Sequence, residues 1–239
     1  MRTFICCVVL AAIGLSVPPA ANGFEGFRLL RLEGRLVKWG DAGLGKGATV
    51  SYAYVAAPTS FPDARNCREM APIDSLAAAH QIAPELLRRE VEAAFAMWQA
   101  AADIRFLRSD DPSTAGILIG VQATPRGAAF ADVKYRQAGD DGGGARSIKR
   151  GLVCLNPVQP WETGFNGRAS DYDLRYAFAH EIGHAIGLDH PGPSGQLMSF
   201  RYEESFRGLR PGDVAGIIAL YGARPPVPAD ETTSVSLQR

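Results

Sequence analysis

The chain lacks the charge pattern that marks a nucleic-acid or membrane-surface protein. Its 25 lysines and arginines are balanced by 25 aspartates and glutamates, and no basic run or stripe stands out. Electrostatic capture of nucleic acid or of an anionic membrane is therefore not expected. The sequence shows no internal repeat and no sign of a second domain. A length of 239 residues with 46% apolar residues fits one globular domain with a full core.

The chain also lacks an apolar run long enough to span a bilayer. The longest stretch runs from 4 to 17, follows the positive charge of Arg2 and precedes small residues around Ala20. A membrane span needs about 20 apolar residues, so the pattern predicts a signal peptide over residues 1–21. A membrane anchor is the alternative. We expect a secreted, extracellular or periplasmic protein with no stable membrane insertion after signal removal.

Cysteine is scarce, with four residues in the chain. Cys6 and Cys7 lie in the predicted signal peptide, which leaves Cys67 and Cys154 in an exported, oxidising setting. We expect these two to form a disulfide, which would add about 4 kcal/mol by constraining the unfolded chain. Two free buried thiols are the alternative, because Cys154 lies in an apolar, strand-like run where a reduced cysteine would pack well.

Residue patterns predict a domain in which helices and strands are mixed. Strands are expected at 48–55, 104–107, 116–122 and 151–156, and helices from Pro84, after Ser170 with a capping box to Asp173, and over 211–220. Segment 56–83 is expected to be a long loop with one helical turn around 75–80, and the glycine-rich segment 136–150 a flexible surface loop. Residues 223–239 are expected to form a disordered tail.

Histidine is rare as well, yet three of the four histidines lie in the stretch AHEIGHAIGLDH at 179–190. His180 and His184 are four residues apart, so on a helix their imidazoles project from one face and can share an ion. Gly187 allows the sharp turn that brings His190 back toward the same ion. Three imidazoles with one open position are typical of catalytic zinc, whereas a structural site is closed by four protein ligands.

Glu181 follows the first of these histidines and has a different expected role. Its place on the helix turns it away from direct ligation but keeps its carboxylate near a water on the ion, where it can act as general base. The alternative is that the histidines have no metal and are only hydrogen-bonded on a buried helix face. The long pattern H-E-x-x-H-x-x-G-x-x-H disfavours this alternative. His80, alone in a predicted loop, is expected to be solvated.

This motif resembles that of the metzincin zinc proteases, and the chain around it resembles the matrixin branch. The segments LVKWG with ATVSYAYV, VEAAFAMWQAAADIRF and GLRPGDVAGIIALYG are similar to the opening strand, the first helix with its strand, and the closing helix of matrixin catalytic domains. The resemblance implies an α+β catalytic domain over 24–222, with a twisted, mainly parallel five-stranded sheet, an active-site helix and a C-terminal helix. It also implies a peptide substrate bound in extended form along an edge strand.

The resemblance identifies Met198, eight residues after His190, as the methionine of a turn that supports the metal site from below. Ordinary core filling is the alternative. Some positions depart from the family pattern. Pro191 is more like the serralysin branch, although the calcium-binding repeats of that branch are absent. Phe200 stands where astacins and serralysins place an assisting tyrosine, and Tyr202 is a weak substitute candidate.

The predicted function is that of a secreted zinc-dependent endopeptidase with one zinc ion and a protein or peptide substrate. Two other classes stay open: a catalytically silent binding or adhesion module with the same fold, and a zinc hydrolase of non-peptide amides or esters. Asp140 and Asp141 could bind calcium, but a solvated loop is favoured for so short an acidic pair. The oligomeric state is left open.

Overall fold

A computed structural model of the chain describes residues 26–137, 144–164, 171–203 and 207–226. The predicted signal peptide over 1–21, the acidic pair Asp140 and Asp141, Ser170, and the tail after residue 226 lie outside the described residues. Predictions that concern them therefore stay predictions.

Two groups of six strands, separated by two helices, precede the last two helices of the described chain, and many of the strands are only two residues long. The strands are β1 (Arg28–Leu29), β2 (Arg31–Leu32), β3 (Arg35–Lys38), β4 (Ala48–Tyr54), β5 (Thr59–Ser60), β6 (Glu69–Ala71), β7 (Ile104–Arg108), β8 (Ile117–Gln122), β9 (Ala129–Tyr135), β10 (Arg146–Leu155), β11 (Trp161–Glu162), β12 (Tyr172–Asp173) and β13 (Leu188–Asp189). The helices are α1 (Asp74–Ala79), α2 (Pro84–Ala101), α3 (Leu174–Ala185) and α4 (Pro211–Tyr221). None of the helices within the described ranges has both the length and the apolar character that a membrane span requires.

The five longest strands form a mainly parallel sheet in the order β7, β4, β8, β10, β9. The first four of these run parallel to one another, and β9 runs antiparallel to β10 at the edge. Strands β2, β3, β5 and β6 extend the sheet. All six residues of β8 are buried, which explains its unbroken apolar sequence, because a strand covered on both faces has no polar side. The predicted α+β architecture is confirmed.

Helix α2 packs against α3, the helix that carries His180 and His184. It begins at Pro84, whose missing N–H is tolerated in the first helical turn. Its buried face has helical spacing and includes Leu87, Val91 and Trp98. The indole Nε1 of Trp98 donates a hydrogen bond of 2.9 Å to the carbonyl oxygen of Ala179 on α3. A buried polar contact therefore fixes the position of α3 over α2.

The structure corrects several sequence-based expectations, and the first is the long loop at 56–83, because the paired strands β5 and β6 lie within it. The predicted loop at 136–150 is wrong in its second half, because β10 already begins at Arg146 and pairs there with Val37 and Lys38 of β3. Strand β9 has no counterpart among the predicted strands. Helix α3 begins at Leu174, and its N-cap is Asp173, whose carboxylate accepts from the backbone N–H of Tyr176 at 2.8 Å.

Cys67 and Cys154 form a disulfide with a Cα–Cα distance of 5.8 Å. The bond joins the loop before β6 to the end of β10, within a buried cluster that includes Met70 and Leu118. Asp132 of β9 holds the same loop, since its carboxylate accepts from the backbone N–H groups of Asn66 and Cys67 at 2.8 and 2.7 Å. The loop is thus fastened to two adjacent strands.

Candidate metal centre and its cleft

The end of α3 and the turn that follows it set the positions of the three histidines. The carbonyl oxygens of Ala185 and Ile186 accept hydrogen bonds of 2.9 and 2.7 Å from the side chains of Trp39 and Tyr221. These bonds satisfy backbone acceptors that a helix end leaves free. Gly187 then adopts a φ of +106°, and a Cβ there would collide with the carbonyl oxygen of Val37. Only glycine fits this turn.

The three imidazoles converge through their Nε2 atoms. The Nε2 atoms of His180, His184 and His190 lie 3.0–3.1 Å from one another. The Nδ1 atoms of His180 and His184 bond to the carbonyl oxygens of Leu197 and Leu188 at 2.7 and 2.9 Å. A carbonyl only accepts, so the proton of each ring sits on Nδ1 and the lone pair on Nε2. Two facing lone pairs cannot bond to each other.

A shared cation accounts for this arrangement. Nitrogen atoms 3.0–3.1 Å apart can all contact one ion at the zinc–nitrogen distance of about 2.0–2.1 Å. The three histidines are also the group of potential ligands that comes together among the described residues. The donor set fits zinc, and it leaves a coordination position for a water or a substrate.

Burial keeps the three imidazoles in the form that binds metal. It holds the pKa of His180 well below the ordinary 6.5, and the neighbouring His184 lowers it further. Burial and then His190 lower the pKa of His184 to about 4. Burial also lowers the pKa of His190, although the carboxylate of Asp189 opposes this. At neutral pH all three rings are therefore uncharged and available as ligands.

Glu181 lies in the same cleft and is only 8% exposed. Burial, and then the negative charge of Asp132, raise its pKa to about 8. Among the described residues its carboxylate has no hydrogen-bond partner. A bound dication would favour the ionised form. The carboxylate is thus available to a water molecule.

Met198 lies buried in a turn that α4 holds in place. The carboxylate of Asp213, in the first turn of α4, accepts from the backbone N–H groups of Leu197, Met198 and Arg210 at 2.8, 3.0 and 2.8 Å. Leu197 in turn accepts from His180. Asp213 therefore links α4, through Leu197, to His180. This role of Asp213 could not be predicted from the sequence, since an acidic residue in the first turn marks a helix start but does not reveal its partners.

A cleft of about 980 Å³ contains the histidines and Glu181. One wall is residues 129–134 of the edge strand β9, and another is the loop at 60–66. Tyr202 also lines the cleft, but its hydroxyl accepts from the backbone N–H of Asp173 at 2.7 Å. This bond ties Tyr202 to the start of α3, and its role as a substitute for the missing tyrosine stays a prediction. The ring of Phe200 lies 6.4 Å from that of His190.

His80 is not the solvated side chain that its sequence context predicted. It is partly buried, and its Nε2 lies 2.8 Å from the carbonyl oxygen of Pro157. The ring connects the end of α1 to the segment after β10. His80 therefore has a local structural contact and lies outside the group of three histidines.

Among the described residues, the three converging imidazoles on a helix and the turn after it form a site that fits a metal ion with one open coordination position. The model of the matrixin family matches residues 75–222, more than half of the chain. The chain belongs to the matrixin family, and the resemblance noted in its sequence is confirmed.

Several curated proteins are similar to this chain. Matrix metalloproteinase-19 of Homo sapiens is 52% identical over 62 residues, which cover 25% of this chain and 12% of that protein. Metalloendoproteinase 1-MMP of Arabidopsis thaliana is 30% identical over 147 residues, covering 59% and 39% respectively. Matrilysin of Mus musculus is 29% identical over 137 residues, covering 56% and 50%. The chain thus spans half or less of the length of these relatives.

Proposed function

We propose that this protein is an exported zinc-dependent endopeptidase that hydrolyses peptide bonds in proteins or peptides. The observation that carries the proposal is the convergence of three Nε2 atoms at 3.0–3.1 Å beside Glu181 in one cleft. Membership of the matrixin family supports it. Relatives named as metalloproteinases and metalloendoproteinases point to the same activity.

His180, His184 and His190 would hold one zinc ion. When bound, zinc acts as a Lewis acid and lowers the pKa of a water toward about 7. The carboxylate of Glu181 accepts the proton of the attacking water and returns it to the nitrogen of the leaving amine. Its burial and its freedom from hydrogen-bonding partners among the described residues suit a group that must both take and give a proton.

Strand β9 suits a peptide better than a small amide or ester. Among the described strands it pairs only with β10, and residues 129–134 line the cleft. The free side of β9 can hydrogen-bond to an extended chain, as in β-strand addition. The backbone of the substrate would then align its scissile bond with Glu181. This groove is the reason that we rank a non-peptide hydrolase below the endopeptidase.

A silent binding module is also a weaker proposal. Such a module needs the fold and the metal ligands but not a general base. Glu181 lines the cleft, and its carboxylate makes no hydrogen bond to the described residues, so a general base is in place beside the histidines.

Export of the protein rests on two features of the chain. The residues before 22 have the pattern of a signal peptide. The disulfide between Cys67 and Cys154 belongs to an oxidising compartment.

The proposal is tested by incubating a complex protein mixture with the protein or with its Glu181→Ala variant and identifying new termini by mass spectrometry. We expect new termini only with Glu181 in place, since loss of a general base lowers the rate by about 10²–10⁴-fold. Zinc content is measured in both samples. Equal zinc with no Glu181-dependent termini would refute the endopeptidase and favour a binding module. Cleavage of amide or ester reporters alone would favour the non-peptide hydrolase.

A further inference from the structure

The segment at 26–30, here called the N-terminal strap, lies beside the turn that carries the third histidine. Strand β1 of the strap pairs antiparallel with β13, with Arg28 opposite Asp189 and Leu29 opposite Leu188. The backbone N–H of Leu30 donates to the carbonyl oxygen of Gly187 at 2.8 Å. Each residue of the turn at 187–189 therefore has a partner in the strap.

Helix α4 fixes the strap from the other side. A Cβ on Gly216 would lie 2.9 Å from the Cβ of Phe27 and 3.0 Å from the Cδ2 of Leu188. A Cβ on Gly212 would lie 2.8 Å from the carbonyl oxygen of Gly26. Real Cβ atoms do not approach other atoms so closely, so the strap packs directly on the helix where glycine leaves room. The strap is thus held between α4 and the turn.

The turn controls the positions of two of the three histidines. The carbonyl oxygen of Leu188 accepts from Nδ1 of His184 and so orients that ring. One carboxylate oxygen of Asp189 accepts from the backbone N–H of His190 at 2.8 Å. The other oxygen lies 3.0 Å from Nε of Arg28. A single carboxylate therefore connects an arginine of the strap with the backbone of the third histidine.

We propose that Arg28 is a positioning residue for the metal site, because it holds the carboxylate of Asp189 and thereby fixes the backbone of His190. This inference rests on the zinc site of the proposed function. The side chain of Arg28 is 68% exposed, and exposed ion pairs contribute little to fold stability. The effect therefore falls on metal affinity and ligand geometry rather than on folding.

The expected effect of Arg28→Ala is a zinc dissociation constant raised about 3- to 10-fold. Groups that orient ligands usually change metal affinity by about 10–100-fold, and the exposure of this pair reduces its share. Arg28→Lys keeps the charge beside Asp189 and should restore most of the affinity. Arg31→Ala is the matched control, since Arg31 donates to the carbonyl oxygen of Gly34 within its own hairpin. We expect that variant to bind zinc within about twofold of the unsubstituted protein.

The experiment measures zinc affinity by competition with a chromogenic chelator, and ligand geometry by the visible spectrum of the Co²⁺-loaded protein. The thermal midpoint of the metal-free protein is recorded alongside. We expect Arg28→Ala to change affinity and spectrum while leaving that midpoint near that of the Arg31→Ala control. In a double-mutant cycle, Arg28→Ala should add nothing to Asp189→Ala, because Arg28 acts through that carboxylate.

Two results would overturn the role of Arg28. One is an unchanged zinc affinity in Arg28→Ala, and the other is fully multiplicative losses in the double variant. A failure of the unsubstituted protein to bind zinc would instead refute the metal site itself, and with it this inference. Zinc binding without peptide cleavage would refute only the proposed activity. Zinc affinity and the Co²⁺ spectrum, which test Arg28, do not depend on turnover.

Discussion

Lys38 of β3 is a cationic side chain that the protein encloses, with an exposure of 0%. Its Nζ donates to the carbonyl oxygens of Trp39 and Asp41 at 2.9 and 2.6 Å and lies 5.0 Å from the centre of the Tyr221 ring. Burial lowers the pKa of Lys38 to about 8, although the charge of Asp41 opposes the change. A neutral amine still has two N–H bonds, so both hydrogen bonds survive deprotonation.

This lowered pKa makes stability depend on pH. Between the folded value of about 8 and the unfolded value of 10.5, the unfolded chain holds the extra proton, so the free energy of unfolding rises with pH. We expect a gain of up to about 2 kcal/mol between pH 8 and about pH 9.5. Below pH 8 the contribution of Lys38 no longer changes.

Urea unfolding of the metal-free protein at several pH values in this range measures the gain. Lys38→Met should remove the slope, whereas Lys46→Met, at an exposed position, should keep it. Equal slopes in the protein and in Lys38→Met would show that the lysine is charged in the fold.

Gly183 lies on α3 between His180 and His184, where a helix would ordinarily gain about 1 kcal/mol from alanine. A Cβ at this position would overlap Sδ of Met198 and lie 2.9 Å from Cζ2 of Trp98. We therefore expect Gly183→Ala to lower the free energy of unfolding by about 1–3 kcal/mol through overpacking. Denaturant unfolding measures the change.

The double variant Gly183→Ala, Met198→Ala tests the cause. It should lose less stability than the sum of the single changes, because the shorter side chain makes room for the new methyl group. Gly208→Ala is the control, since no atom lies within 4 Å of a Cβ there. Additive losses would mean that Met198 does not restrict residue 183.

The loop at 60–66 and the strands around it depend on the disulfide. The bond closes a segment with a sequence separation of 87 residues, for which the chain-entropy model gives about 4.6 kcal/mol. We expect a Cys67→Ala, Cys154→Ala double variant to unfold at a correspondingly lower denaturant concentration. Reduction of the unsubstituted protein should have a similar effect. A loss below about 1 kcal/mol would mean that the unfolded chain is already restricted in this region.

Elements with strong local signals could be predicted from the sequence, and elements defined by their pairing partners could not. The spacing of apolar residues and the proline start indicated α2, and the apolar run indicated β8. Strand β9 and the start of β10 have mixed, polar sequences. They become strands through pairing: β9 pairs antiparallel with β10, the next strand along the chain, and the start of β10 pairs with β3, which lies far earlier in the chain.

The candidate site divides in the same way. The three histidines and Glu181 follow from helix spacing and a glycine turn, so the motif alone locates them. Their supporting groups do not follow from any motif. Asp213 and the carbonyl oxygen of Leu197 reach the site only through tertiary packing, and Arg28 does so through a strand pair.

At the scale of the whole molecule, the main buried cluster extends from β3 and β4 through α2 to α4 and does not include the three histidines. We therefore expect chelation to lower the thermal midpoint of the protein. The far-UV circular dichroism spectrum should remain that of a folded protein. Zinc at about 1,000 times its dissociation constant would add about 4 kcal/mol.

Calorimetry and circular dichroism with and without chelator measure this contribution. A His184→Ala variant should melt at nearly the same temperature in both conditions, because it lacks a ligand. Loss of the helical signal on chelation would place this protein among those that fold only with their metal.

The pairing of β1 with β13 also indicates when during folding the candidate metal site is completed. Arg28 and Asp189 face each other although most of the described chain separates them, and contacts between such distant residues form slowly. The helix with the first two histidines can form early, from local hydrogen bonds. The third histidine reaches its final position only when the strap has docked, so we expect tight metal binding to be acquired late, after nearly all of the fold is in place.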